Sequence, residues 1–246
     1  MEDNNKDEIL YIDSDENKPA SLTEKLNLHL RNNYKLWIYI VIGIILLIVI
    51  IYFAFNYIKK NKEKDIEEAG TAITRLMSAY NQKDPQSIQL ALYGNKSIVI
   101  RNKPLIGFIE IANKYDNVPQ GKLAAFYAGN LLFGEKKFSE AEKFYKKALD
   151  SDSKLVLQGA YAGLGSIEEN KGNFQKAIDY YKDAVDNHTD YGSKNRYEYY
   201  MGLCYEKLGK KDEAIKIYNV IIGENKSYEF VGRAKMGLIR LGTIIE

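Results

Sequence analysis

Three stretches in the second half of the chain repeat one pattern of small and aromatic residues. Each stretch is centred on an alanine, with a glycine twelve residues before it and a tyrosine four residues after it. The three sets are Gly129, Ala141 and Tyr145; Gly165, Ala177 and Tyr181; and Gly202, Ala214 and Tyr218. The alanines are 36 and 37 residues apart, a period typical of stacked helical repeats. The repetition therefore predicts an array of helices.

The spacing within each stretch is the one expected of two helices packed as a pair. A glycine in the first helix lets the second approach closely, and we expect the alanine to face it and the tyrosine to fill the wider space beyond. Gly172 and Gly209 lie where the chain must turn between paired helices, and Lys136 has that place in the first pair. Because one pair cannot bury its apolar stripe alone, we expect one continuous core.

These residues resemble the tetratricopeptide repeat family, whose repeat of about 34 residues is slightly shorter than the period here. A second alanine of the family pattern is matched by Ala148 and Ala184 but replaced by Ile221 in the third stretch. The proline that usually ends the family repeat is replaced by Ser153, Thr189 and Lys226. The resemblance implies an all-α fold, an α-solenoid of helix pairs, which binds protein partners or extended peptide segments.

The chain around the repeats is assigned from the same patterns. Three repeats over residues 122–227 have approximate bounds of 122–155, 158–191 and 195–228, and residues 228–246 are predicted to form a capping helix with a polar outer face. Residues 59–121 are predicted to be a stalk and an irregular helical first unit. Its expected helices are Asp65–Tyr80, Pro85–Tyr93 and Pro104–Tyr115.

Residues 36–58, LWIYIVIGIILLIVIIYFAFNYI, form an uncharged apolar run without proline. As a helix these residues would reach roughly 34 Å, enough to cross a hydrocarbon core of about 30 Å. A buried core helix rarely has this length without a polar residue. A cleaved signal peptide would have a shorter apolar region and a small-residue cleavage site, whereas Asn56 to Lys59 follow here. The run therefore predicts a single transmembrane helix.

Residues 1–35 precede this run. Met1–Pro19 is acidic and asparagine-rich and is predicted to be disordered. Ser21 and Glu24 match a capping box, which predicts the start of a short amphipathic helix. Two interpretations stay open for this helix: it lies on the lipid surface, or it binds a membrane partner.

The orientation of the membrane helix does not follow from charge alone. The cations on its amino side are Lys18, Lys25, Arg31 and Lys35, and those on its carboxyl side are Lys59, Lys60, Lys62, Lys64 and Arg75. This near-tie leans towards a cytoplasmic carboxyl side, as in a cytosol-facing membrane adaptor or receptor. The layout, however, resembles a bacterial group that includes the ancillary repeat-bearing subunit of the Sec translocon and related envelope proteins. That resemblance implies an inner-membrane protein with a cytoplasmic amino-terminal tail, periplasmic repeats, and partners in protein export or envelope assembly.

No pattern indicates an enzyme, a cofactor or a metal site. His29 and His188 stand apart from other ligand types, and Cys204 lacks a basic neighbour and is expected to be buried. Glu168 and Glu169 are adjacent on a helix, so their side chains point apart. A net charge of +2 gives no support for nucleic-acid binding.

In the tetratricopeptide family, certain positions of the first helices line a groove that binds peptides. The corresponding residues here are Phe126, Asn130, Phe133, Ser166, Glu169, Arg196, Tyr199, Leu203 and Glu206. Phe126 stands where receptors for chaperone carboxyl termini have lysine, so the resemblance implies a groove for apolar or amphipathic segments instead. The alternative, that some of these side chains only pack between helices, stays open.

Overall fold

The computed structural model describes residues 21–243, and the tail predicted to be disordered, Met1–Pro19, lies outside the described residues. The helices are α1 Leu22–Asn32, α2 Tyr34–Gln82, α3 Pro85–Tyr93, α4 Phe108–Lys114, α5 Pro119–Gly134, α6 Phe138–Ala148, α7 Lys154–Asn170, α8 Phe174–Asp186, α9 Tyr191–Lys207, α10 Lys211–Glu224 and α11 Tyr228–Arg240. Two strands, β1 Gly94–Ile100 and β2 Lys103–Ile106, form one hairpin. The predicted all-α class is confirmed, with this hairpin as an addition.

The chain divides into two compact units, and the boundary along the sequence lies between Lys59 and Lys60. In the first unit, α1 begins with the predicted capping box: the Ser21 amide donates to Glu24 Oε2 at 2.8 Å and the Glu24 amide donates to Ser21 Oγ at 3.2 Å. Within residues 21–243, α2 is the one helix long and apolar enough to cross a membrane, and its most apolar window is 0% buried.

The second unit begins with the polar remainder of α2. Its buried residues are Ala69, Ala72, Ile73, Leu76 and Ala79, whose spacing of three and four residues places them on one face of the helix. Helix α3 follows after Asp84, whose carboxylate accepts from the amides of Gln86 and Ser87 at 3.0 Å each. This cap satisfies amide groups that the first helical turn leaves without partners.

The predicted helix over Pro104–Tyr115 is wrong in its first part, because the chain forms the β1–β2 hairpin there. Arg101 and Asn102 have φ angles of 50° and 61°, as in a two-residue turn that joins antiparallel strands. Pro104 lies opposite Val99 in this two-stranded sheet, where a residue without an amide proton is tolerated. The helix begins only at Phe108, after Gly107.

The repeats consist of the pairs α5–α6, α7–α8 and α9–α10, followed by the single helix α11. The turns within the pairs have a left-handed residue at the same place: Lys136 at φ 60°, Gly172 at φ 78° and Gly209 at φ 71°. Glycine adopts this conformation without steric cost, whereas lysine does not. The first pair therefore has a strained turn.

We expect Lys136→Gly to stabilise the second unit by about 0.5–1 kcal/mol, because relief of left-handed strain of about 1–2 kcal/mol exceeds the entropic cost of a glycine. Urea unfolding of residues 60–246 measures this change. The reciprocal variant, Gly172→Lys, should destabilise the unit by about 1 kcal/mol. Equal stabilities for both variants and the unchanged protein would contradict the proposed strain.

Within each pair, the ring of the second-helix tyrosine lies on the first-helix glycine. A Cβ atom on Gly129 would come within 2.7 Å of the Tyr145 ring, and one on Gly202 within 2.4 Å of the Tyr218 ring. Whether the alanine also faces this glycine, as expected, stays a prediction, but the atoms nearest to the open side of the glycine belong to the tyrosine ring. The flat ring requires the slot that only glycine leaves, while Ala177 and its two equivalents are fully buried beside it.

The buried apolar side chains form three clusters: one from α2 to α7, one in α8 and α9, and one in α10 and α11. Partly buried side chains link them, because Tyr180 of α8 packs against the first cluster and Tyr205 and Ile217 pack against both of the others. Polar groups lie between α7 and α9, where Gln158 Nε2 donates to Ser193 Oγ at 2.8 Å. The outer face of α11 is not purely polar, since Met236 and Ile239 are 62% and 57% exposed.

Candidate partner-binding face

One polar position of the first helix in each pair is held by the hydroxyl group of the buried tyrosine behind it. Tyr145 Oη donates to Asn130 Oδ1 at 2.9 Å, and Asn130 Nδ2 donates to Tyr80 Oη at 3.1 Å. The side chain of Asn130 is therefore fixed from two sides. Burial raises the pKa of the Tyr145 hydroxyl, so this group stays protonated and remains a donor.

The second pair has the same arrangement with an acidic acceptor. Tyr181 Oη donates to Glu169 Oε2 at 2.8 Å and lies 3.1 Å from Ser166 Oγ. Burial raises the pKa of Tyr181 as well. One tyrosine thus orients two of the predicted groove side chains.

In the third pair, Glu206 accepts from Tyr218 Oη at 2.5 Å and from Arg240 Nε at 2.8 Å. A second bond from Arg240 Nη2 to Glu206, at 2.6 Å, makes the ion pair bidentate. The hydrogen bond from Arg240 is the main reason that the pKa of Glu206 lies below its usual value. Glu206 therefore ties helix α9 to the closing helix α11.

Beside this ion pair, four side chains of α9 and α11 form a cluster that we call the aromatic end: Arg196, Tyr199, Phe230 and Arg233. The rings of Tyr199 and Phe230 are 6.1 Å apart. Arg196 Cζ lies 5.9 Å from the Phe230 ring, and Arg233 Cζ lies 5.9 Å from the Tyr199 ring. Both guanidinium groups stack on apolar rings, and Arg196 and Arg233 themselves are exposed.

None of the nine predicted groove residues is buried, but they differ in what they contact. Phe126 packs between helices, because its ring fills the space beside Gly159, where a Cβ atom would lie 2.4 Å from it. Phe133 packs against Phe138, with ring centroids 5.3 Å apart. Leu203 is half-buried. Both phenylalanines thus serve packing, at least in part.

Several side chains that shape this face were missed by sequence reasoning. They are Tyr80, Phe230, Arg233 and Arg240. Arg240 follows Glu206 by 34 residues, about one repeat period, and this spacing is a signal that could have indicated their contact. Tyr145, Tyr181 and Tyr218 were recognised as packing residues, but the role of their hydroxyl groups was not.

The residues that the sequence analysis weighed for chemical roles, Glu168 and Cys204, are held by hydrogen bonds or buried. Glu168 accepts from Lys171 Nζ at 2.8 Å and from Asn173 Nδ2 at 2.9 Å, and the bond from Lys171 is the main reason that its pKa is lowered. Cys204 is buried, and burial raises the pKa of its thiol to about 12. Among residues 21–243, no three His, Cys, Asp or Glu side chains are grouped so that they could hold a metal ion.

Comparison with known families identifies the repeats. Residues 127–155 and 162–229 match two family models, both described as tetratricopeptide repeat. The chain carries tetratricopeptide repeats. A solved structure, the crystal structure of MamA protein, is similar at 21% identity and a TM-score of 0.45, over 68% of this chain and 83% of that one. No curated protein matches the chain.

Proposed function

We propose that this protein is a membrane-anchored scaffold that binds extended segments of partner proteins on the first-helix face of its repeats. Tetratricopeptide repeats are generally protein-interaction modules without catalytic activity, which supports a binding role. The observation that carries the proposal is the set of oriented polar side chains on this face. Asn130, Glu169 and Glu206 each accept a hydrogen bond from a buried tyrosine.

Such fixed groups suit the recognition of an extended chain. They lie in successive repeats, so a bound segment would meet one oriented polar group per repeat. Because their rotamers are already held by the protein, less side-chain freedom is lost when a partner binds. The face would therefore bind the backbone or the polar side chains of a partner segment in one register.

The aromatic end would supply much of the binding energy. Arginine and aromatic side chains are enriched among residues that dominate protein interfaces. Arg196 is exposed, while Tyr199 and Phe230 beneath it form a largely buried apolar floor. An apolar or amphipathic segment would fit here, with Glu206 and Arg240 beside it.

Helix α2 would anchor the protein as a single-pass protein of a bacterial inner membrane. Its apolar run is exposed, which suits contact with lipid. We place the amino terminus in the cytoplasm and the repeats in the periplasm, near protein export or envelope assembly; the Sec translocon is one candidate partner. The slight excess of cations after the apolar run supports the alternative, a cytosol-facing adaptor.

Site-specific photo-crosslinking in native membranes tests the binding face. We expect a crosslinker at Arg196 or Glu169 to capture a discrete protein, whereas one at the second-helix positions Lys146 or Lys182 should not. Arg196→Ala should lower capture from position 169 by about 30-fold, the loss typical of a dominant interface residue. The matched control is Lys182→Ala, which also removes an exposed cation.

Capture from Lys146 and Lys182 alone would move the functional surface to the second helices. A reporter enzyme fused after Glu246 decides the orientation in the same strains. Activity of a reporter that functions only in the periplasm supports our placement, and activity of a cytoplasmic reporter supports the adaptor.

A further inference from the structure

A cleft in the second unit lies between the polar part of α2, the hairpin and the end of α4. Its volume is about 580 Å³. Five cations line it: Lys64, Arg75, Arg101, Lys103 and Lys114. The carboxylates in its lining are Glu67 and Glu68. We call this feature the basic cleft.

The charge of the basic cleft is not neutralised internally. Glu68 accepts from Lys103 Nζ at 2.8 Å and from Tyr115 Oη at 3.0 Å, so this carboxylate is already used. Within the described part of the chain, Lys64, Arg75, Arg101 and Lys114 are in no ion pair. Five cations against two carboxylates leave the lining with a net positive charge, and Lys114, which also lies over the Tyr115 ring at 4.9 Å, contributes to it.

Exposed apolar side chains lie in the same hairpin as Arg101. Ile98 and Val99 come just before the hairpin turn and are 39% and 62% exposed. Arg101 belongs to both the turn and the lining of the basic cleft. Apolar side chains flanked by cations are typical of surfaces that lie in the headgroup region of an anionic membrane.

The covalent chain keeps this surface close to the end of the apolar run. Lys64 follows Ile58 by six residues, and six residues span at most about 22 Å even when fully extended. A tether this short gives the cleft a high effective concentration at the surface of the membrane that holds the anchor. No comparable restriction would favour a soluble anion or a second protein.

We propose that the basic cleft and the hairpin tip bind the anionic phospholipid headgroups of the membrane in which α2 is inserted. The inference rests on the anchor proposed above. Phosphate groups would contact the cations of the basic cleft, and Ile98 and Val99 would enter the boundary between headgroups and acyl chains. The first unit of the array would then be held against the bilayer, and the repeats would be presented at a fixed height.

The test uses the full-length protein in lipid vesicles. Val99→Cys can be labelled selectively with an environment-sensitive dye, because the natural Cys204 is buried with a raised pKa. Met236→Cys is the matched control, since both positions are 62% exposed. The vesicles contain either only zwitterionic lipid or about one third phosphatidylglycerol, and a spin-labelled headgroup quenches dyes that touch the surface.

We expect strong quenching at position 99 in the anionic vesicles, weak quenching there in the zwitterionic ones, and weak quenching at position 236 in both. Arg101→Gln with Lys114→Gln should lower the ratio of bound to unbound tip about 30-fold, since each cation near an anionic surface contributes about fivefold. Lys211→Gln with Lys216→Gln is the control pair on α10. Circular dichroism verifies that each variant is folded.

If quenching at position 99 is the same with and without phosphatidylglycerol and is unchanged by the Arg101→Gln and Lys114→Gln substitutions, the headgroup proposal is overturned. If that quenching instead depends on protein concentration, position 99 contacts a second copy of the chain and not the lipid. The anchor has a separate readout. Release of the chain from vesicles by alkaline extraction would overturn the anchor and, with it, the tether argument. Retention of the chain without lipid-dependent quenching would overturn the headgroup proposal alone.

Discussion

Tyr218→Ala is expected to lower the free energy of unfolding of the second unit by about 4 kcal/mol. Truncation of a buried aromatic residue typically costs about 3–5 kcal/mol, and the cost depends on how far the neighbours can collapse into the cavity. The Tyr218 ring lies between Gly202 and Gly237, where added Cβ atoms would come within 2.4 and 2.5 Å of it. Two glycines have no side chains to fill the space.

The conservative variant separates packing from hydrogen bonding. Tyr218→Phe keeps the ring but removes the bond to Glu206, which still keeps its two bonds from Arg240. We expect a cost of about 1 kcal/mol, the usual net contribution of one hydrogen bond. Urea unfolding of residues 60–246 measures both variants. Equal costs for Ala and Phe would mean that the ring is not the element that joins α9, α10 and α11.

This tyrosine also illustrates how much of the fold the sequence could predict. Gly202, Ala214 and Tyr218 recur at fixed spacing in three stretches, and a spacing repeated three times specifies a helix pair. The long helix over the apolar run and the start of α1 at Ser21 could be predicted equally well, since each depends on residues close together in the chain. Local signals of this kind need no knowledge of the tertiary structure.

The hairpin could not be predicted, because the residues around it are compatible with a helix as well as with a strand. Pro104 is acceptable both in the first turn of a helix and in a two-stranded sheet, so it does not distinguish the two structures. The turn before it has Arg101 and Asn102 at positive φ, and neither is the glycine that usually marks such a turn. The run of β-branched residues Ile98, Val99 and Ile100 was a local indication of a strand.

The residues of the candidate binding face could be named from the sequence, but the contacts that their side chains make could not. Phe126 lies at a groove position, yet its ring fills the space beside Gly159, which becomes visible only when both helices are placed. Likewise, the bond between Glu206 and Arg240 joins residues one repeat apart. Whether a side chain at such a position binds a partner or packs inside depends on these neighbours.

Gly163→Ala is the second large effect that we expect, a loss of about 2–3 kcal/mol. The new Cβ atom would lie 2.3 Å from Tyr145 Cζ, which is well inside van der Waals contact. The ring cannot move away, because its other side lies on Gly129, where a Cβ atom would be 2.7 Å from it. Overpacking of a rigid core typically costs about 1–3 kcal/mol, and a ring held on both sides belongs at the upper end.

Gly232→Ala is the matched control, because Gly232 lies within α11 and an added Cβ atom meets nothing within 4 Å. There the same substitution should stabilise by about 0.5–1 kcal/mol, through the higher helix propensity of alanine. A double-mutant cycle completes the test: with Tyr145→Ala already present, Gly163→Ala should cost almost nothing, since the clashing ring is gone. If Gly163→Ala were equally costly in the Tyr145→Ala protein, the strain would come from the backbone of α7. The packing of Tyr145 between Gly129 and Gly163 would then not be the contact that joins one repeat to the next.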